Sequence, residues 1–221
     1  MSERLESDYH PHFQNLGPAR FLLGTNVEIV HEVQLDAPPE HVLFDFDGTL
    51  SLIRAGWANV MIPMMVEILR ETDTDESGEQ LQEIVTSFVM ELNGKQTIYQ
   101  MIRLTEEVSQ RGGRELDPHE LKHDYHDRLM GVIGERREGL RDGSLPREAM
   151  LVPGSVELLQ SLTDRGLCLV LASGTDEVYV REEVARLGLE VFFEDRVYGA
   201  VEDYRSFSKA QVIERILSEH Q

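Results

Sequence analysis

The chain has 221 residues, 21 Lys and Arg against 41 Asp and Glu, a formal charge of −20 and 41% hydrophobic residues. That size and apolar content support a folded core, and the charge repels a phosphate backbone, which excludes nucleic acid as the default partner. The N-terminus MSERLESDYH has no apolar segment for a secretory signal, no run approaches the roughly 18 apolar residues of a membrane span, and a single Cys168 forms no intramolecular disulfide, so the expectation is a soluble cytoplasmic protein.

Residues 1–19 carry Pro11, Gly17 and Pro18 and no hydrophobic period, which predicts irregular chain. Phe21 to Leu35 reads as two extended pieces around Gly24-Thr25-Asn26, a hairpin within an N-terminal extension over 1–40. After Pro38-Pro39, His41 to Phe44 is a continuous apolar run of the kind buried on both faces of a parallel sheet. From Arg54 to Met150 the signals are helical. Trp57 to Leu69 and Leu81 to Leu92 repeat apolar residues at helical spacing, and Glu71 to Gln80 between them is polar enough for a loop. A third helix is predicted over Thr97 to Gln110. A fourth begins with Asp117 as N-cap, Pro118 at its first position and Glu120 in a capping-box position.

Gly154 to Leu162 predicts an amphipathic helix ended by Gly166. Leu167 to Ala172 is a second buried strand, with Cys168 as a small core residue. A helix over Asp176 to Leu187, a strand near Val197 to Gly199 and a last helix over Phe207 to Ser218 follow. The order is α/β: a Rossmann-like three-layer core with a parallel sheet, occupying 41–51 and 151–221, with an inserted α-helical cap domain over 52–150.

Loops at the carboxyl ends of such strands form the site. After the first strand stands Asp45-Phe46-Asp47-Gly48-Thr49-Leu50. Two carboxylates two residues apart on extended chain can face one side, so one can attack while the other manages protons, and Gly48 permits a sharp turn near a ligand. Like charges this close call for a cation, and hard oxygens suit Mg²⁺ with waters and a substrate phosphate. The second strand ends in Ser173-Gly174-Thr175 before a helix start, where backbone N–H groups favour an anion. Lys209 opens the last helix and can neutralise a phosphate charge or steady an acidic nucleophile.

On Asp45-Phe46-Asp47-Gly48-Thr49-Leu50, Ser173 and Lys209, in this order and spacing from Val42 to Lys209, the sequence resembles the haloacid dehalogenase superfamily of phosphohydrolases, in its helical-cap branch. The resemblance implies Asp45 as nucleophile forming an aspartyl phosphate, Asp47 as general acid and base, and Ser173 and Lys209 holding phosphoryl oxygens. Asp45 and Asp47 would hold Mg²⁺, the latter through its backbone carbonyl. Gly48, Thr49 and Gly174 would border the phosphate. In the cap, Asn93 to Thr97 offers a loop in which Lys95 and Gln96 either contact substrate or form an ordinary inter-helix turn; Arg54 and Trp57 are further candidate contacts, with packing against the cap the favoured reading for Trp57.

The fourth motif of that family, an acidic loop completing the Mg²⁺ site, has no counterpart in Ala210 to Gln221. A chain shortened before that motif is the expectation; a cover of the sheet edge by Phe21 to Leu35 and a non-catalytic relative are the alternatives. His119-Glu120-Leu121-Lys122-His123, with His126, spells a zinc-protease motif, but the segment is polar all round, which favours a surface helix. The function expected is a Mg²⁺-dependent phosphohydrolase acting on a small phosphorylated metabolite such as a sugar phosphate. A phosphomutase of the β-phosphoglucomutase kind and a non-catalytic phosphate-binding module are the alternatives. The oligomeric state is not legible.

Overall fold

The computed structural model describes residues 20–25, 28, 29, 32 and 37–219. Three parallel strands, β1 (His41–Phe44), β2 (Cys168–Asp176) and β3 (Val197–Ala200), form a sheet in the order β1-β2-β3. His41 pairs with Cys168 and Phe44 with Leu171, while β3 joins through Leu171 opposite Val197 and Ala172 opposite Tyr198. Among the described residues β1 has a paired strand on one side only.

Side chains alternate across β2 and feed two apolar layers. Leu169 and Leu171 enter one core with Leu159 of α5 (Ser155–Asp164), Val180 and Val184 of α6 (Glu177–Leu187) and Phe193 of α7 (Glu190–Phe193). Val170 and Ala172 enter the other with Ala200, Phe207 and Val212, the last from α8 (Lys209–Glu219). This is the α/β three-layer arrangement expected. β2 runs four residues beyond the predicted Ala172, its pairing with β3 being irregular between Ala172 and Asp176. Cys168, read as a core residue, opens that strand and packs half-buried against the layer of Val170 and Ala172.

Between β1 and α5 the described chain is helical: α1 (Ala58–Arg70), α2 (Gly78–Glu91), α3 (Thr97–Gln110) and α4 (Pro118–Asp142). α1 turns Met61, Met64, Met65 and Leu69 inward to meet Leu81, Val85 and Val89 of α2 and Met101 and Leu104 of α3. The expected loop after α1 ends in a cap: Ser77 accepts from Gln80 N at 3.3 Å while Gln80 Oε1 accepts from Ser77 N at 2.8 Å. At α4 the capping differs from expectation. Asp117 accepts from His119 N at 2.8 Å, so the bond runs to the second helical residue instead of closing a box with Glu120. Gly143, at φ +79°, ends this 25-residue helix.

The two connections to the helical segment run side by side. Leu52 N donates to Met150 O at 2.8 Å, Val152 N donates to Leu50 O at 3.0 Å, and Ser51 bridges Leu151 in antiparallel fashion. Of the N-terminal hairpin, an antiparallel bridge joins Phe21 to Glu28, Ile29 N donates to Arg20 O at 2.7 Å and Thr25 N to Leu22 O at 3.0 Å; Val27, Val33, Leu35 and residues 1–19 lie outside the described residues. Among the described residues no helix is long and apolar enough to cross a membrane.

Candidate active site

The carboxyl end of the sheet gathers the residues that the sequence singled out. Fully buried Phe46 anchors the loop after β1, and its carbonyl accepts from the N–H groups of Thr49, Leu50 and Ser51. The chain reverses there through Gly48 at φ +75°, a conformation that favours glycine. With Phe46 pinned, Asp45 and Asp47 sit on either side of it and both border a cleft against the helical segment.

Asp45 meets Lys209, the first residue of α8, with Nζ 2.9 Å from Oδ1. Asp47 faces the end of β2, where Thr175 Oγ1 donates to its Oδ2 at 2.9 Å and Ser173 Oγ does so at 3.2 Å. Ser173 Oγ in turn accepts from Thr175 N at 3.0 Å. On its other oxygen Asp47 faces Arg54, whose Nε stands 3.8 Å from Oδ1. Burial pushes the Asp47 carboxyl above the usual carboxylate range, and Asp45 nearby adds to the rise, against the opposing pull of Arg54 and the bonds from Thr175 and Ser173. An acid so placed keeps its proton to higher pH than an exposed carboxylic acid does.

Arg54 is itself buried, and it makes a two-pronged bond to Glu183 of α6 through Nε at 3.2 Å and Nη2 at 2.9 Å. Burial raises the Glu183 carboxyl while Arg54 opposes the rise. Arg137 of α4 approaches the same carboxylate at 3.6 Å, and its guanidinium also pairs with Glu182. Tyr179 lies beneath, with Arg54 and Arg137 over its ring and His126 stacked on it at 4.4 Å. Burial, with Arg54 adding, lowers the His126 imidazole below its usual range.

The helical segment supplies the other wall. Trp57, Asn93, Lys95, Gln100 and Tyr125 line the cleft together with Gly174. Contact with the sheet is tight: a Cβ at Gly174 would lie 2.3 Å from the Lys95 carbonyl oxygen. Lys122 of α4 reaches Asp176 at the end of β2, 2.5 Å away.

Asp45, Asp47, Ser173, Gly174, Lys95 and, through Asp45, Lys209 therefore come together, as do Arg54 and Trp57. Gly48 and Thr49 do not; both are exposed on the outer side of the turn, where Gly48 serves the chain reversal. Gln96 does not line the cleft either. It is 4% exposed, and its amide is spent on the backbone carbonyls of Tyr204 and Phe207. A role for Thr175 and the Arg54–Glu183 pair went unread: a second hydroxyl two residues after Ser173 was a legible signal, whereas a contact spanning 129 residues was not.

The imidazoles of the zinc-protease motif diverge. His119 and His123 are exposed and His126 lies on Tyr179. Among the described residues no group of three or more His, Cys, Asp and Glu is gathered as a metal site. The Asp45 and Asp47 oxygens fit a looser one, since Mg²⁺ is held by one or two carboxylates with waters and substrate phosphate. Asp45, with about a third of its side chain exposed, is the acid open to a cation, while the Asp47 carboxylate is enclosed by hydroxyls.

The haloacid dehalogenase-like hydrolase family model matches residues 39–221. The chain belongs to that family. Among solved structures it is similar to a predicted phosphoglycolate phosphatase from Haemophilus somnus, at 19% identity and a TM-score of 0.43 over 73% of this chain and 62% of that one. A predicted phosphatase from Clostridium acetobutylicum aligns at 20% identity and a TM-score of 0.49, covering 83% of this chain and 71% of its own. CbbY from Rhodobacter sphaeroides, solved in complex with phosphate, aligns at 17% identity and 0.47 over 82% and 72%. The chain thus spans less than two thirds of the Haemophilus protein. No curated protein sequence matches it.

Proposed function

We propose that this chain is a Mg²⁺-dependent phosphohydrolase of small phosphorylated metabolites, sugar phosphates among them, working through an aspartyl phosphate on Asp45. One observation carries the reading: Asp45 is held by Lys209 at 2.9 Å, two residues from an enclosed acid whose proton affinity is raised. The two carboxylates then have different tasks, set by their environments.

Asp45 Oδ attacks phosphorus as the bond to the leaving oxygen breaks, and that oxygen takes its proton from Asp47. In the second half Asp47, now ionised, accepts a proton from the water that attacks the aspartyl phosphate, which regenerates both acids and releases phosphate. Ser173 Oγ and Lys209 Nζ hold phosphoryl oxygens, and Lys95 meets the substrate from the helical side. Asp45, through its carboxylate, and Asp47, through its backbone carbonyl, would hold Mg²⁺, which when bound neutralises charge on the phosphoryl group. The same reading assigns 41–51 and 151–221 to a core and 52–150 to a cap that closes the cleft. In a chain of charge −20, the cations Lys95 and Lys209 are what admits an anionic substrate.

The test is phosphate release from p-nitrophenyl phosphate and a sugar-phosphate panel, with Mg²⁺ and with EDTA, beside Asp45→Asn. Turnover that needs Mg²⁺ and is lost in Asp45→Asn is the expected result. Isomerised product without net phosphate would replace hydrolysis by a mutase reaction. Phosphate binding with no turnover at any Mg²⁺ concentration would overturn catalysis altogether.

A further inference from the structure

Gln96 occupies the N-cap of α3, with φ −62° and ψ 141°, yet its side chain makes no capping bond. It crosses instead to the core, where Nε2 donates to Tyr204 O at 2.8 Å and to Phe207 O at 2.7 Å. Two carbonyl acceptors fix which end of the amide faces them. Those carbonyls flank a 3-10 turn, Tyr204–Ser206, and Lys209 follows two residues after Phe207. The turn's own bonds run to Asp203, from Ser206 N at 3.0 Å and Ser206 Oγ at 2.7 Å to its carbonyl and from Arg205 N at 3.2 Å to its Oδ1, while Gln211 Nε2 of α8 donates to Arg205 O at 3.3 Å; the orientation of the turn against the helical segment depends on what grips it from that side.

The residues just before Gln96 touch the same region. Gly94 brings the backbone so near that a Cβ there would lie 3.9 Å from Lys209 Nζ, and the Lys95 carbonyl presses on Gly174. Tyr99, one turn into α3, meets the Tyr204 ring edge-on at 5.5 Å. Packing alone would not select glutamine at this position: its Oε1 is buried without a hydrogen-bond partner among the described residues, a cost that an apolar side chain of the same length avoids. What the amide contributes is two directed bonds to one turn.

We propose that Gln96 is a positioning residue that couples closure of the helical segment to the placement of Lys209. When the loop of Asn93 to Gln96 seats on the core, the Gln96 amide orients the Tyr204–Phe207 turn, and the turn sets Lys209 against Asp45. Lys95 enters the cleft in the same movement, so the two cations arrive together. The catalytic consequence rests on the reading of Lys209 as a phosphoryl-holding group; the structural coupling does not.

The experiment compares the full chain with Gln96→Met, which keeps the length and loses the donors, and with Gln96→Ala. Amide hydrogen exchange is followed in peptides spanning 201–210 and, as a control, in β2; kcat and KM are measured with p-nitrophenyl phosphate, also in a Lys209→Ala background. Loss of two bonds should speed exchange in 201–210 about tenfold in both variants and leave β2 unchanged. A misplaced lysine should lower kcat on the order of 10²-fold with a smaller change in KM, and Gln96→Met should add nothing once Lys209 is alanine. Exchange that stays the same in 201–210, exchange that rises equally in β2, or a Gln96→Met enzyme with native kcat overturns the proposal. If the unmodified chain turns nothing over, the phosphohydrolase reading fails while the exchange data still decide this one.

Discussion

Lys209 Nζ lies 2.9 Å from Asp45 Oδ1, a contact between residues 164 positions apart that ties the first residue of α8 to the end of β1. Both side chains keep partial access to solvent, so the pair can open without a buried charge being left bare. Lys209→Ala should lower kcat by about 10²- to 10³-fold, the usual loss for one charged or hydrogen-bonding group aimed at the transition state. Lys209→Arg should not restore it, since a planar fork does not replace a point charge in this gap. Steady-state kinetics of both variants check this.

Gly174 stands where the helical segment meets the sheet. A methyl group there would lie 2.3 Å from the Lys95 carbonyl oxygen, a backbone atom that cannot swing aside. Gly174→Ala should hold the cleft open, raise KM and lower kcat together, and leave thermal stability close to native. Trp57, the only tryptophan, lines the cleft, so its fluorescence should report the more open state.

Glu183→Ala removes the carboxylate that satisfies buried Arg54. Breaking a buried pair from one side costs about 3–5 kcal/mol, whereas replacing both partners by apolar groups costs less. Urea unfolding should therefore show Glu183→Ala as less stable than the double variant Arg54→Met, Glu183→Leu. Equal stabilities would refute a net role for the pair.

Burial holds the Asp47 carboxyl above its ordinary value of 3.8, so the folded chain binds that proton more tightly than the unfolded one. The resulting stabilisation is complete below the unfolded value and is lost as pH rises through the folded one. Asp47→Asn does not titrate. Its stability relative to the native chain should accordingly increase with pH across that window and level off above it, measured by thermal unfolding in EDTA.

Much of this architecture is written locally. The apolar runs of β1 and β2 and the helical stripes of α1 to α3 are consequences of near-neighbour periodicity, Gly166 after α5 is a local stop signal, and Asp45, Asp47 and Ser173 stand at strand ends where chemistry collects. Other features were hidden for a physical reason. The Ser77–Gln80 cap lay inside a stretch read as loop, and α7 is too short at four residues to show a period. Gln96 was read as either a substrate contact or part of an inter-helix turn, and Arg54 as a further contact; Arg54 does line the cleft, but the hydrogen-bond partners of both side chains lie more than 100 positions away, and only the folded backbone determines which face of the loop each side chain leaves from.

The paired connections at Ser51 and Leu151 bear on how such a chain can change. Chain entry and exit are neighbours there, held by Leu52 to Met150 and Val152 to Leu50 bonds, so the sheet experiences the whole intervening stretch as one closed loop. Loop closure grows only logarithmically with length, each doubling adding about 0.6 kcal/mol, and a hundred inserted residues strain this gate little more than fifty would. Ser51 and Leu151 are thus natural graft points. A foreign insert spliced between them would inherit the Asp45, Asp47 and Ser173 end of the cleft intact and bring its own wall to face it.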